Sequence, residues 1–174
     1  MKRLVSCCLG VLLCFAMISP SAAADSKVKV YMLGGILNIS SGLRVLAGKL
    51  AQRGIAATVY ESEDPDLVAE VIMRDYQNKK VRQIVLIGYS AGAGSAVLIA
   101  GRLNKGLMPV ALLITLDPVA DFTVPHNVKR AINFYVGNAL VLGATNVKVD
   151  APGIAHLSIQ YLGSIHEKII DYIK

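Results

Sequence analysis

Val81-Arg82-Gln83-Ile84-Val85-Leu86-Ile87-Gly88-Tyr89-Ser90-Ala91-Gly92-Ala93-Gly94-Ser95-Ala96-Val97-Leu98-Ile99-Ala100 decides the fold. Residues 81–87 are mostly apolar and partly β-branched, which predicts a strand. From Ala93 a helix is predicted to about Asn104, with Gly106 just beyond it. The turn between them, Gly88-Tyr89-Ser90-Ala91-Gly92, has the pattern G-x-S-x-G. On such a turn a serine sits at the tip of a strand, in a strained backbone, with its hydroxyl presented outward. The flanking positions must be small because strand and helix pass close together. Gly88 and Gly92 meet that need, and Gly94 and Ala96 continue the small series. The first amides of a helix have no partner inside it, so the N–H of Ala91 can face a developing negative charge. The stretch is not a phosphate loop, because it lacks the third glycine of a dinucleotide fingerprint and any Gly-Lys-Ser/Thr.

Outward from this turn, strand and helix signals alternate. Val28 to Leu33 reads as a strand ending in Gly34-Gly35. Ser40 or Ser41 can cap a helix carrying Leu43, Leu46, Ala47 and Leu50, which Gly54 stops. Ile55 to Tyr60 is a second strand. Asp64 caps a second helix, with Pro65 at its first position, and that helix runs to about Lys79-Lys80. After the central strand and its helix come strands at Val110–Leu116, Ala131–Val136 and Asn146–Val149. Ser158 to Tyr172 closes the chain as a helix with Ile159, Leu162, Ile165 and Ile169 on one side. Alternation of this kind predicts an α/β three-layer sandwich with a mostly parallel central sheet. The link from Gly137 to Thr145 is short for a parallel crossover, which leaves the path to the last strand open.

Ligands of parallel sheets bind beyond the carboxyl ends of the strands. Gly34-Gly35-Ile36 follows the first strand there, Ser90 the central one and Asp117 the next. His156 follows the last, after Ala151-Pro152-Gly153. A serine hydroxyl needs a neighbouring base, imidazole has a suitable pKa, and a buried carboxylate fixes its tautomer. Ser, Asp and His also occur in the chain order of one hydrolase fold.

With Gly34-Gly35, the Gly88–Gly92 turn, Leu116-Asp117-Pro118 and Gly153-Ile154-Ala155-His156, the chain resembles the α/β-hydrolase superfamily. The resemblance is to its small lipase, esterase and thioesterase members. It implies a nucleophile at Ser90, a base at His156 and an orienting acid at Asp117. It also implies an oxyanion hole from the amides of Ala91 and of Gly35 or Ile36. A serine hydrolase acting on a small-molecule carboxylic ester or thioester would follow, with no cofactor and no metal. The chain departs from that family in having no His-Gly-Gly-Gly stretch and no insertion long enough for a substantial lid.

Other assignments stay open at the level of sequence. Asp121 and Asp150 are alternative acids, and His126 is an alternative base. His166 lies beside Glu167 and Lys168 and reads as part of a solvated helix face. Tyr89 and Asn38 are candidates to touch substrate, and Ser40 reads as a helix cap. A binding protein without catalysis, on the same fold, is the alternative function.

Met1 to Ala24 has the form of a secretory signal: basic Lys2 and Arg3, an apolar stretch from Leu4 to Ile18, and small residues at Ala22 and Ala24. The apolar stretch is short for a membrane span, so no stable anchor is expected after its removal. A periplasmic or secreted protein follows, with Asp25 to Lys174 as one domain. Export disfavours cytosolic acyl-CoA or carrier-protein substrates. Cys7, Cys8 and Cys14 all lie in the signal, so disulfides and thiol chemistry are excluded from the mature chain. Without Lys2 and Arg3, 16 basic side chains face 12 acidic ones, a net of +4, and their scatter gives no nucleic-acid footprint. The sequence is silent on oligomeric state.

Overall fold

The structure is a computed structural model describing residues 28–36, 40–61 and 63–174. Residues 1–24, read above as a secretory signal, and Asn38 lie outside the described residues. A six-stranded sheet runs in the order β2-β1-β3-β4-β6-β8, and every neighbouring pair is parallel. Its strands are β1 (Val28–Leu33), β2 (Ala56–Tyr60), β3 (Gln83–Tyr89), β4 (Val110–Leu116), β6 (Ala131–Tyr135) and β8 (Thr145–Lys148). Two short strands, β5 (Phe122–Thr123) and β7 (Val141–Leu142), pair separately.

Helices cover both faces, giving the three layers read from the sequence. α1 (Ser41–Ala51) and α4 (Gly163–Ile173) pack Leu43, Leu46, Leu50, Ile165 and Ile169 against one side of the sheet. α2 (Pro65–Gln77) and α3 (Ala91–Lys105) pack Val68, Ile72, Ala96, Ile99 and Leu103 against the other. Strand residues divide between the two cores in alternation: Val85 and Ile87 face the first, Ile84 and Leu86 the second. Burial on both faces is why these strands read as continuous apolar runs.

Three local readings need correction. The closing helix begins at Gly163 rather than Ser158. A 3₁₀ turn at Ile159–Tyr161 precedes it, and extended backbone at Leu162 separates the two. Ser40 stands at the N-cap of α1, but its side chain makes no capping bond. His166 is 1 % exposed and not on a solvated face. It is drawn inward because its Nε2–H donates to the carbonyl of Gln160 at 2.6 Å.

The short link to the last strand also resolves. β8 runs parallel to β6, and the return passes through β7 rather than a helix. Asn146 pins it: its side chain accepts from the amide of Val141 and donates to that residue's carbonyl, both at 3.0 Å. Asn133, fully buried, donates to Asn146 at 2.9 Å and accepts from Thr115 at 2.8 Å. Side-chain amides thus satisfy the backbone groups that a helical crossover would have satisfied itself.

Sheet order fixes where a ligand can bind. The chain moves one way from β1 to β2 and the other way from β3 onward, so the switch point lies at the carboxyl ends of β1 and β3. The G-x-S-x-G turn lies there and is closely packed. A Cβ on Gly88 would stand 2.3 Å from the carbonyl oxygen of Gly92, and one on Gly92 would stand 2.2 Å from that of Leu33. Both obstacles are backbone. In contrast, nothing lies within 4 Å of a Cβ built on Gly101, inside α3. In urea unfolding, Gly88→Ala and Gly92→Ala should each lose about 1–3 kcal/mol or more. Gly101→Ala should gain about 0.5–1 kcal/mol.

Candidate active site

Ser90 is the residue between β3 and α3, with φ 56° and ψ −123°. A non-glycine residue there is strained, and the strain is held by the packing around it. The turn is anchored by the Ser90 amide, which donates to the carbonyl of Leu116 at 2.9 Å. Ala91 opens α3, so its N–H has no acceptor within the helix. Across from it, Gly35 packs against the serine: a Cβ on Gly35 would stand 3.2 Å from Ser90 Cβ.

Asp117 follows β4, is 4 % exposed, and has φ 44°. Its amide donates to Phe134 at 2.7 Å. Its Oδ1 accepts from the amides of Val136 and Gly137, at 2.8 and 2.9 Å. Its Oδ2 is 2.7 Å from Nδ1 of His156. Burial pushes the carboxyl upward, but the two amides and the imidazole outweigh it and hold it below the usual carboxylate range. An ionised carboxylate can only accept, so Nδ1 of His156 carries the proton. Nε2 is left to accept from the Ser90 hydroxyl, 2.8 Å away.

His156 comes from the loop after β8, and its side chain is 40 % exposed. Tyr89 holds it from beneath, with rings stacked at 5.5 Å and the Tyr89 hydroxyl donating to the His156 carbonyl at 3.1 Å. Tyr89 is only 2 % exposed, so the expectation that it touches substrate gives way to a supporting role under the histidine. The next turn is tied to α1. Gln160 Oε1 accepts from the amide of Gly42 at 3.1 Å, and the hydroxyls of Ser41 and Tyr161 are hydrogen-bonded.

Residues far apart in sequence therefore meet as one linked series, Ser90–His156–Asp117. The alternatives lie elsewhere. Asp121 accepts from the amide of Leu140 at 2.7 Å, and His126 and Asp150 are exposed. Ile36, beside Gly35, is exposed at the rim. Sequence reading missed the amides of Val136 and Gly137 that grip Asp117. No side-chain signal marks them, because they act through backbone alone. It also missed Gln160 and His166.

No protein-family model and no curated protein matches the chain. Among solved structures, it is similar to RedJ with a PEG molecule bound in the active site, at 9% identity and a TM-score of 0.51, over 87% of this chain and 94% of that one. It is also similar to the RedJ thioesterase from the prodiginine biosynthetic pathway in Streptomyces coelicolor, at 16% identity and a TM-score of 0.44. That match covers 56% of this chain and spans 42% of the other. At these identities the likeness concerns the fold, which is α/β with a parallel sheet between helical layers.

The buried groups make stability pH-dependent in two windows. Burial lowers His166 from its ordinary value of 6.5, with its bond to Gln160 opposing and Lys49 adding to the drop. Its stabilising contribution is full above pH 6.5 and is lost as pH falls through the lower folded value. Asp117, depressed from 3.8, contributes fully above that pH and loses its contribution as pH falls through its folded value. Urea midpoints should fall in both windows, and His166→Gln should remove the upper one while leaving the lower.

Proposed function

We propose that the protein is an exported serine hydrolase of α/β-hydrolase type that cleaves a carboxylic ester or thioester through an acyl-enzyme at Ser90. The observation that carries this reading is the continuous hydrogen-bonded series from the Ser90 hydroxyl through His156 to a buried, ionised Asp117. RedJ, the protein of similar fold, is described as a thioesterase, which is compatible with acyl transfer at this edge of the sheet.

Nε2 of His156 takes the proton as Ser90 Oγ attacks the substrate carbonyl carbon. Asp117 steadies the imidazolium that forms. The carbonyl oxygen gains negative charge and accepts from backbone N–H groups on both sides of the serine, Ala91 on one and the Gly35–Ile36 loop on the other. His156 then returns the proton to the departing alcohol or thiol. Water, deprotonated by the same nitrogen, releases the acid and restores the serine.

Exposed apolar residues neighbour this site along the chain. Ile36, Val119 and Leu157 are exposed and stand one or two residues from Gly35, Asp117 and His156. They suit an apolar acyl group lying on an open surface. Across p-nitrophenyl esters from acetate to hexanoate, kcat/KM should rise a few-fold per methylene, the effect of about 0.8 kcal/mol for each buried CH₂. A flat series would contradict an apolar acyl site.

A fluorophosphonate probe should label the mature protein at Ser90, and Ser90→Ala should abolish labelling. With an activated ester, Ser90→Ala and His156→Ala should lower kcat by about 10⁴- to 10⁶-fold, and Asp117→Ala by less. A folded protein with no labelling and no turnover would sink the hydrolase reading and favour a binding function.

A further inference from the structure

The oxyanion donor on the Gly34–Ile36 side can be narrowed to one amide, and a residue outside the Ser–His–Asp series decides which. The Gly35 N–H donates to Oγ of Ser40 at 3.1 Å, in a bond buried from solvent. Ser40 is fully buried, and its carbonyl accepts from the amides of Leu43 and Arg44, which fixes it to the start of α1. Its side chain crowds the loop from behind: a Cβ on Gly34 would stand 2.3 Å from Ser40 Oγ. On the other side, the Gly34 amide donates to Tyr60 at 2.7 Å.

Two amides in turn are therefore already committed, Gly34 to the sheet and Gly35 to Ser40. Among the described residues, nothing accepts from the amide of Ile36. The Gly35 Cα between them lies against the Ser90 side chain. A serine at an N-cap normally turns its hydroxyl to the second or third amide of its own helix, a bond worth about 1 kcal/mol. Ser40 forgoes that bond and faces the loop instead.

We propose that Ser40 is a positioning residue for acyl transfer. By holding the Gly35 N–H it removes that amide from the oxyanion hole and fixes the glycine so that the Ile36 N–H, opposite that of Ala91, receives the charge. The inference rests on the hydrolase reading above and adds a residue to it. Glycine is freely rotating, so a loop built on Gly34-Gly35 needs an external tether to keep a donor aimed before reaction begins.

The test uses the mature protein and Ser40→Ala, with two inhibitors of matched acyl group. A trifluoromethyl ketone adds to Ser90 and places an alkoxide in the oxyanion hole; the corresponding secondary alcohol binds without one. Ser40→Ala should weaken the ketone about 10- to 100-fold, short of the roughly 100- to 1,000-fold lost when a donor itself is removed. It should lower kcat by a similar factor and leave KM and alcohol binding unchanged. Equal weakening of both inhibitors, or of neither, would overturn the proposal. If Ser40→Ala does not fold, hydrogen exchange at Gly35 in the unaltered protein decides: protection supports the Ser40 tether, and exchange at the rate of an open loop overturns it. Fluorophosphonate labelling of Ser90 separates the two levels. A labelled protein with an indifferent Ser40→Ala variant rejects this inference alone, whereas an unlabelled one rejects the hydrolase reading first.

Discussion

Close approach of three backbones at one point is the constraint on which the rest depends. The end of β3 carries Gly88, the start of α3 carries Gly92, and the end of β1 presents the carbonyls of Leu33 and Gly34 to Gly92. None of these contacts leaves room for a side chain. With the flanking positions reduced to backbone, the chain reverses from strand to helix within a single residue. That residue, Ser90, takes a left-handed φ that an open turn would relax. The same crowding brings Gly35 against the serine, beside the first residue of α3. The position of Ser90, the helix N-terminus and the glycine loop are thus consequences of one packing event at the switch point of the sheet.

A second organising element is the start of α1. Ser40 holds Gly35 on the loop beside Ser90. Ser41 is bonded to Tyr161, and the amide of Gly42 donates to Gln160, both in the turn that follows His156. Three consecutive residues therefore join the loop from β1 to the segment from β8, which are distant in sequence. Gly42 also cannot carry a side chain, since a Cβ there would stand 2.3 Å from the carbonyl oxygen of Gln160. His166 completes this joint by donating to that same oxygen from α4. The polar groups buried on this side are linked into a network spanning three elements, which restricts the histidine arm more than apolar packing alone would.

How much of this was legible in the sequence follows from which groups act. Alternating apolar strands and amphipathic helices identify the layers, because burial on one or both faces leaves a period in the residues themselves. Ser90, Asp117 and His156 stood out because a hydroxyl, a carboxylate and an imidazole each follow a strand. What failed was whatever depends on backbone or on tertiary context. The amides of Val136 and Gly137 belong to no residue type. His166 sits among charged neighbours in sequence, yet its direction is set by a carbonyl in the preceding turn. Ser40 carries the composition of a helix cap, and only the packed loop shows that its hydroxyl faces the other way. The path to β8 was obscure because its backbone is satisfied by Asn133 and Asn146, a substitute for a helix that leaves no periodic trace.

The buried carboxylate shows how these levels combine. Burial alone would push the Asp117 carboxyl upward. Two amides just beyond β6 and the imidazole together reverse that tendency, and the two amides depend on β6 lying next to β4. Because only an ionised carboxylate demands a proton on Nδ1, the tautomer that leaves Nε2 open toward Ser90 is itself a product of strand pairing. The chemistry proposed for the serine is in that sense a property of the fold rather than of three side chains, and it would be absent from any arrangement that brought the same residues together without those amides.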